Sequence, residues 1–175
     1  INPHFYPEDY YDEAKRCVKD LGFVALKITP IAHACHPSSK DAYYVYEVCR
    51  DLKVPLMIHT GNGIPFADPT SVYKGAADHP DVPVILAHAG SESFNQQARI
   101  LAAKLDNVFL EPSWCGTNAV KHMIEEVGCD KILFSSDNFD QIPVELAKYR
   151  QIIKNEDDLE KVMWKNAVRI FDLKL

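Results

Sequence analysis

The sequence predicts an α/β fold built around a parallel sheet. Five short apolar segments alternate with amphipathic helical segments along the 175 residues, as repeated βα units do. The apolar segments begin near residues 23, 54, 82, 107 and 131. They are apolar on both faces, as buried parallel strands must be. Two architectures satisfy this pattern: an open doubly wound sheet of five strands, or about five-eighths of a (β/α)8 barrel, in either case one domain over residues 1–175.

The chain opens with a helix, a strand and a second helix. Apolar residues on one helical face predict a helix over Tyr6–Leu21, and Gly22 follows where a C-cap glycine belongs. Phe23–Thr29 is a predicted strand that ends at Pro30. Ser39 then has the side chain to cap the N-terminus of the next helix.

The middle of the chain contains two strands that each lead to a histidine and a glycine. Val54–Thr60 and Val82–His88 are the predicted strands. Between them, Asp68 followed by proline marks the start of a short helix that ends near His79. Ser91 or Ser93 is expected to cap the helix after the second strand.

The last third of the chain repeats the alternation. Asn107–Pro112 and Lys131–Ser136 are predicted strands, separated by a helix that Thr117 caps and Gly128 closes. The final predicted helices are Pro143–Ile153, Asp157–Trp164 and a helical continuation over Asn166–Phe171. The first predicted strand, Phe23–Thr29, is not followed by a GxGxxG or P-loop motif. The usual signature of a doubly wound nucleotide-binding sheet is therefore absent.

Composition excludes several classes of partner. The net charge is −6 and lysines and arginines do not cluster, so we expect no nucleic-acid partner. The apolar runs are too short to cross a bilayer, so we expect no membrane association. The cysteines are odd in number, widely spaced and without a CxxC pair, which indicates reduced thiols in the cytoplasm. They are Cys17, Cys35, Cys49, Cys115 and Cys129.

Three metal-capable side chains stand at the ends of predicted strands. His59 and His88 end two consecutive strands, and Asp137 follows the last strand. The carboxyl ends of parallel strands share one edge, where ligands bind. We therefore predict a metal site formed by His59, His88 and Asp137, with His88 and Asp137 also acting as catalytic acid or base. The alternative for each histidine is a buried polar side chain bonded to the backbone.

The sequence resembles a known family in five stretches. PLMIHTGNGIPFADP, HPDVPVILAHAGS, NVFLEPSW, DKILFSSDNF and KNAVRIF are similar to the C-terminal part of the amidohydrolase superfamily. The branch is that of metal-dependent TIM-barrel hydrolases, which includes aminocarboxymuconate-semialdehyde decarboxylase and resorcylate-type decarboxylases. The resemblance implies that this chain supplies strands 4–8 of the barrel. It also implies that His59 is the strand-5 ligand, His88 the strand-6 ligand or acid/base, and Asp137 the strand-8 carboxylate.

The chain departs from the family pattern at one point. The family's first strand carries an HxH or ExH pair of ligands, and no predicted strand here carries one. Because the sequence also begins at Ile1, we expect it to be part of a longer protein. An isolated arc would expose apolar side chains on its inward face and leave two strand edges free. We therefore expect either preceding residues or a second copy, in a homo-oligomer, to cover those edges.

Four further residues are predicted to contact a small-molecule substrate. Lys27 alternates with apolar residues on the first strand, although pairing with an acidic neighbour is an alternative. Asn62 lies in the loop after His59. Glu111 and Trp114 flank the end of the fourth strand, and Trp114 is equally compatible with a core or interface position.

These observations predict a metal-dependent hydrolase acting on a C–N or C–O bond of a small carboxylated metabolite. The expected cofactor is a divalent ion, with Zn ahead of Mn. One alternative is a metal-dependent non-oxidative decarboxylase on the same scaffold. Another is a partial barrel that serves as a non-catalytic interaction module. Fold and metal ligands are shared by the two enzymes, so the sequence does not separate them.

Overall fold

The computed structural model describes residues 2–174 as a parallel sheet with helices packed on it. The strands are β1 (Leu26–Ile28), β2 (Leu56–His59), β3 (Val84–Ala87) and β4 (Val108–Glu111). The helices are α1 (Pro7–Lys19), α2 (Lys40–Leu52), α3 (Tyr73–Asp78), α4 (Ser91–Lys104), α5 (Thr117–Val127), α6 (Ile142–Ile152), α7 (Glu156–Glu160) and α8 (Asn166–Ile170). Among these residues, no helix is long and apolar enough to cross a bilayer.

The four strands lie in sequence order and every neighbouring pair is parallel. The register is simple: Lys27, Met57, Ile85 and Phe109 form one row across the sheet. Two residues further along each strand, His59, Ala87 and Glu111 form another row. This arrangement confirms the α/β prediction with a parallel sheet, and each strand is shorter than predicted because only its central residues pair.

The prediction of a fifth strand at Lys131–Ser136 is wrong. A 3₁₀ turn occupies Cys129–Lys131, and only an isolated bridge joins Ile132 to Leu110. The Leu133 N–H donates to the Leu110 carbonyl at 2.9 Å, and pairing stops there. A strand forms a continuous ladder of hydrogen bonds with a neighbouring strand. This segment forms only one bridge, to β4, and therefore does not qualify as a strand.

The helix-covered face of the sheet carries the main core. Ile28, Ile58, Leu86 and Leu110 form one fully buried row across the four strands. Residues of α1, α2, α4 and α5 pack against this face, and Tyr46 of α2 and Tyr149 of α6 are the bulkiest of the core side chains with no exposed surface. Burying such a row supplies most of the stability of the sheet.

A second, smaller core lies on the opposite face. Ile85, Phe109 and Leu133 are buried there together with Ile170 of α8. Ile85 has no exposed surface at all. The expectation that the inward face exposes apolar side chains is therefore wrong for this half of the sheet, because the C-terminal helix covers it.

The helix before α8 also occupies part of a free edge. Residues Lys161–Lys165, between α7 and α8, are π-helical. The Val162 carbonyl in this wider turn accepts a hydrogen bond from the Phe134 N–H at 3.0 Å. Wider π turns disturb the regular helical ladder, which makes a carbonyl accessible to a partner outside the helix. The segment after Ile132 is thus fastened on its outer side by a helix.

Helix caps were predicted with mixed success. Ser39 and Asp68 accept hydrogen bonds from backbone N–H groups of their helices, which confirms both caps. The serine cap of α4 is wrong, because Gly90 is the N-cap residue and Ser91 begins the helix. The Thr117 cap of α5 is also wrong, since Gly116 takes that position and its N–H is bound by the Glu92 carboxylate on α4. All five cysteines are unpaired.

Candidate functional site

The candidate site lies at the carboxyl edge of the sheet. β2 ends at His59, β3 ends immediately before His88, and β4 ends at Glu111. Because the strands are parallel and in register, these ends meet at one edge, as the sequence predicted. The loops that follow carry Asn62, Trp114 and Asp137, and their contacts bring most of the predicted residues into one region.

The two predicted histidines lie side by side. The ring centroids of His59 and His88 are 4.7 Å apart and the rings are tilted by 66°. His59 is half-buried, whereas His88 is only 6% exposed. The two rings are in contact because β2 and β3 are neighbouring strands, so both imidazoles can contribute to one site.

Burial keeps both imidazoles neutral. Desolvation, followed by the charge of Lys27, lowers the pKa of His59, and the Asp137 carboxylate opposes this shift. Desolvation, followed by the neighbouring His59, lowers the pKa of His88 to about 4. A neutral imidazole has a lone pair that can bind a metal or accept a proton. The pair is therefore in the protonation state that either role requires.

Asp137 approaches the pair from the loop after Leu133. Its charge acts on the pKa of both histidines, and its Oδ2 accepts a hydrogen bond from the Trp114 indole N–H at 2.9 Å. The Ser135 Oγ accepts the Asp137 N–H at 3.3 Å. Trp114 is half-exposed, so one part of its indole contacts Asp137 and another part faces outward.

Lys27 lies on the same face of the sheet as His59. It is exposed on β1, in register with Met57, and its charge lowers the pKa of both histidines. Within residues 2–174, Lys27 forms no ion pair with a carboxylate, which was the alternative to a role in the site. A free ammonium group beside two neutral imidazoles favours the approach of an anion.

Asn62 is placed at the rim, with both ends of its amide engaged. Its Nδ2 donates to the Ser93 Oγ at 2.6 Å, and its Oδ1 accepts the Ser93 N–H at 3.2 Å. These bonds tie the loop after β2 to the first turn of α4. Asn62 remains a predicted substrate contact, but its observed partners belong to the protein.

Glu111 is buried and lies behind His88. Its two oxygens accept the backbone N–H groups of His88, at 3.0 Å, and of Ser113, at 2.8 Å. The Ser113 hydroxyl lies 2.8 Å from Nδ1 of His88. Sequence reasoning missed Ser113, although it stands two residues after the strand-ending Glu111, where strand parity returns a side chain to the same face.

Three site residues share an unusual backbone conformation. His88, Trp114 and Asp137 have φ angles of 62°, 68° and 60°, in the left-handed region that non-glycine residues rarely adopt. Such conformations cluster at ligand sites, because the surrounding structure must hold them in place. The loops after β3, β4 and Leu133 are therefore all constrained where they present these side chains.

The donor types fit a divalent metal, although the described residues do not form a complete cage. Two imidazoles and one carboxylate are the N and O ligands that Zn and Mn accept. Within residues 2–174, no group of three or more His, Cys, Asp or Glu side chains is close enough together to hold an ion. The assignment of His59, His88 and Asp137 as ligands therefore stays a prediction.

Comparison with known proteins places this geometry in a family. The model of the amidohydrolase family matches residues 2–173. A gamma-resorcylate decarboxylase from Polaromonas sp. strain JS666 is 25% identical, in a match that covers 95% of this chain and 67% of the relative.

Solved structures share the fold. A 2,6-dihydroxybenzoate decarboxylase from Rhizobium superposes with a TM-score of 0.74 at 19% identity, over 95% of this chain and 68% of that one. A dihydroxybenzoic acid decarboxylase from Polaromonas sp. JS666, with bound manganese and 2-nitroresorcinol, has a TM-score of 0.71 at 20% identity, over 95% and 66%. This chain thus spans about two thirds of the length of these relatives. The match of the family model over nearly the whole chain shows that this protein belongs to the amidohydrolase family.

Proposed function

We propose that this protein is a metal-dependent, non-oxidative decarboxylase acting on a hydroxylated aromatic acid. The observation that carries the proposal is the pair of adjacent, neutral imidazoles of His59 and His88 at the sheet edge, beside the Asp137 carboxylate. The relatives are named as decarboxylases of such acids, which favours this alternative over the hydrolase that the sequence first predicted.

His59 and Asp137 would hold the divalent ion, with His88 as a further ligand or as an acid/base group. When bound, the ion would supply positive charge that orients the substrate carboxylate and an adjacent oxygen. One relative binds manganese, so Mn moves ahead of the Zn that the sequence favoured. The carboxylate of Asp137 also suits the harder ion.

The chemistry requires one proton at carbon. The bond between the ring carbon and the carboxyl carbon breaks, CO₂ leaves, and the ring carbon takes the proton. His88 and Asp137 are the two groups proposed to handle it, because the two histidine rings are adjacent and Asp137 acts electrostatically on both. The neutral ring of His88 would first accept a proton from the substrate hydroxyl and then pass that proton to the ring carbon. The phenolate product would then take one proton from solvent, which balances the step.

Other side chains suit an aromatic anion. The ammonium group of Lys27 attracts the substrate carboxylate towards the histidines. The outward part of the Trp114 indole offers a surface for a ring, with its N–H fixed by Asp137. Together these two residues would select a flat, negatively charged substrate.

The test compares two panels of substrates on the metal-loaded, full-length protein. We expect CO₂ release from dihydroxybenzoates, followed by detection of the phenolic product, and no hydrolysis of lactones or amides. His88→Asn should lower turnover at least 100-fold, in the range expected for loss of an acid/base group. His122→Asn, on the exposed face of α5, is the matched control and should leave turnover unchanged.

Metal content provides an independent measurement. His59→Ala should strongly lower occupancy, while His88→Ala should affect turnover more than binding. Equal metal content in wild type and His59→Ala would remove His59 from the site. Lactone or amide hydrolysis without CO₂ release would restore the hydrolase interpretation, and a metal-free protein inactive on both panels would favour the interaction module.

A further inference from the structure

A buried carboxylate stands behind the candidate site and touches none of its open space. Glu111 is 4% exposed, and each of its oxygens accepts a backbone N–H, Oε2 from His88 and Oε1 from Ser113. A carboxylate with both oxygens occupied by the protein is poorly placed to contact substrate. Its geometry suits a different task, which is to hold the two residues that bond to it.

Ser113 joins this carboxylate to the imidazole of His88. Ser113 has no exposed surface, and its Oγ lies 2.8 Å from Nδ1 of His88. The Ser113 hydroxyl also acts on Glu111, where it lowers the pKa of the carboxyl against the raising effect of burial. In contrast, Nδ1 of His88 and the nearer oxygen of Glu111 are 4.0 Å apart, too far for a direct hydrogen bond. The hydroxyl is therefore the link between the two side chains.

The direction of these bonds follows from what each group can do. A hydroxyl has one proton to donate and lone pairs with which to accept, whereas an ionised carboxylate only accepts. Burial raises the pKa of Glu111, while the backbone N–H groups of His88 and Ser113 that it accepts favour its ionised form. An ionised Glu111 draws the hydroxyl proton of Ser113 towards itself, because a charged acceptor attracts a donor more strongly than a neutral imidazole nitrogen does. The Ser113 Oγ is then an acceptor for a proton on Nδ1 of His88. That places the ring proton on Nδ1 and leaves Nε2 with its lone pair.

We propose that Glu111 and Ser113 are positioning residues that fix the orientation and tautomer of His88, so that Nε2 is the atom available to metal or substrate. The part played by Nε2 rests on the function proposed above, whereas the tautomer does not depend on it. A histidine that binds a metal commonly has its other ring nitrogen fixed in this way by a neighbouring acceptor.

The backbone of His88 gives Glu111 a second task. His88 has a φ of 62°, a strained conformation that persists only when its surroundings hold it. Its N–H donates to Glu111 at 3.0 Å, and its carbonyl accepts from the Cys115 thiol at 3.2 Å. Both backbone polar groups of the strained residue are thus bound by side chains from β4 and the loop after it.

The same carboxylate reaches the loop of Asp137. The Ser135 side chain acts to lower the pKa of Glu111, and the Ser135 Oγ accepts the N–H of Asp137. Glu111 therefore interacts directly with His88 and, through Ser135, with the loop of Asp137. One buried side chain thus influences the loops that present two of the three predicted metal ligands.

The experiment measures the tautomer of His88 in metal-free, full-length protein. Histidine is labelled with ¹⁵N, and long-range ¹H–¹⁵N correlation distinguishes a proton on Nδ1 from one on Nε2. The His88 signals are identified by their absence in His88→Asn. We expect the Nδ1–H tautomer in wild type and in Ser113→Thr, which retains the hydroxyl. Ser113→Ala and Glu111→Gln should shift the population towards the Nε2–H form, and Ser38→Ala, at an exposed serine outside the site, should not.

Turnover gives the second readout. Loss of a group that orients a histidine of a metal site typically costs 10–100-fold in activity, so Ser113→Ala should lower turnover by that factor and Ser113→Thr should restore it. A wild-type protein with the Nε2–H tautomer would overturn the proposal, even if every variant failed to fold. An unchanged tautomer in folded Ser113→Ala and Glu111→Gln would also overturn it. The expected tautomer in a protein that releases no CO₂ would support the positioning role and reject the decarboxylase.

Discussion

Asn166 fastens the C-terminal helix to the end of the sheet, and its replacement by alanine should destabilise the fold. The side chain is 2% exposed, and its Nδ2 donates to the carbonyls of Cys129 and Ile132, both at 2.7 Å. These carbonyls flank the isolated bridge that takes the place of a fifth strand. The amide therefore supplies hydrogen bonds that a strand neighbour would otherwise make.

The magnitude follows from these two bonds. Each hydrogen bond contributes about 1 kcal/mol net. The Cys129 carbonyl keeps a bond from the Ile132 N–H at 3.2 Å, whereas the loss of the amide from the Ile132 carbonyl raises the cost further. Removal of the amide also leaves a small gap in a packed region. Asn166→Ala should thus lower the free energy of unfolding by about 3 kcal/mol, a large share of the stability of a domain.

Urea denaturation followed by tryptophan fluorescence measures this loss, because Trp164 lies two residues before Asn166. Asn118→Ala, at an exposed asparagine in α5, is the matched control and should change stability by less than about 0.5 kcal/mol. Asn166→Asp should be at least as harmful as Asn166→Ala, because a carboxylate cannot donate to the two carbonyls. A loss in Asn166→Ala no larger than that of the control would refute the fastening role.

Three other perturbations have expected outcomes. In metal-free protein, the unfolding free energy should fall by up to ~3 kcal/mol as pH drops from about 6.5 to about 4, because His88 binds a proton more readily in the unfolded chain than in its buried position. Urea midpoints measured across this pH range should show the dependence in wild type and not in His88→Asn. Gly75→Ala would place a Cβ 2.4 Å from the buried Tyr46 ring, so thermal unfolding should reveal a loss of about 1–3 kcal/mol, and an unchanged Tm would contradict that close approach. Ile85→Val should cost about 1 kcal/mol without altering the His88 tautomer, whereas a changed tautomer would couple the two ends of β3.

The sequence predicted the sheet well where burial decides the structure. β2, β3 and β4 lie inside their predicted segments because residues buried on both faces of a strand leave a continuous apolar run. Lys131–Ser136 begins with a similar run, yet only Ile132 bridges to β4. Strand pairing requires a neighbouring strand from elsewhere in the chain, and the composition of a segment does not show whether such a strand lies beside it.

The sequence indicated the side chains of the candidate site more than their supports. His59, His88 and Asp137 stood out because a metal-capable residue at the end of an apolar run is uncommon. Glu111 was predicted only as a substrate contact and Ser113 not at all, since a glutamate at a strand end has the same sequence pattern whether it faces solvent or is bonded to backbone N–H groups. The left-handed conformation of His88 could not be predicted either, because a positive φ is normally inferred from a glycine and this position holds a histidine.

The face of the sheet opposite the helices divides into two levels. The row through Met57, Ile85 and Phe109 is apolar, and Ile85 and Phe109 are buried together with Ile170 of α8. The row from His59 through Ala87 to Glu111 lies at the candidate site. Only one residue along each strand separates the two rows, so the apolar contacts with α8 hold in place the backbone from which His59 and Glu111 project. The backbone of His88 follows β3 directly, and its N–H is held by the Glu111 carboxylate. This explains how a sheet with four short strands can present three left-handed residues at one edge, and why stability and site geometry should respond to different substitutions on the same strand.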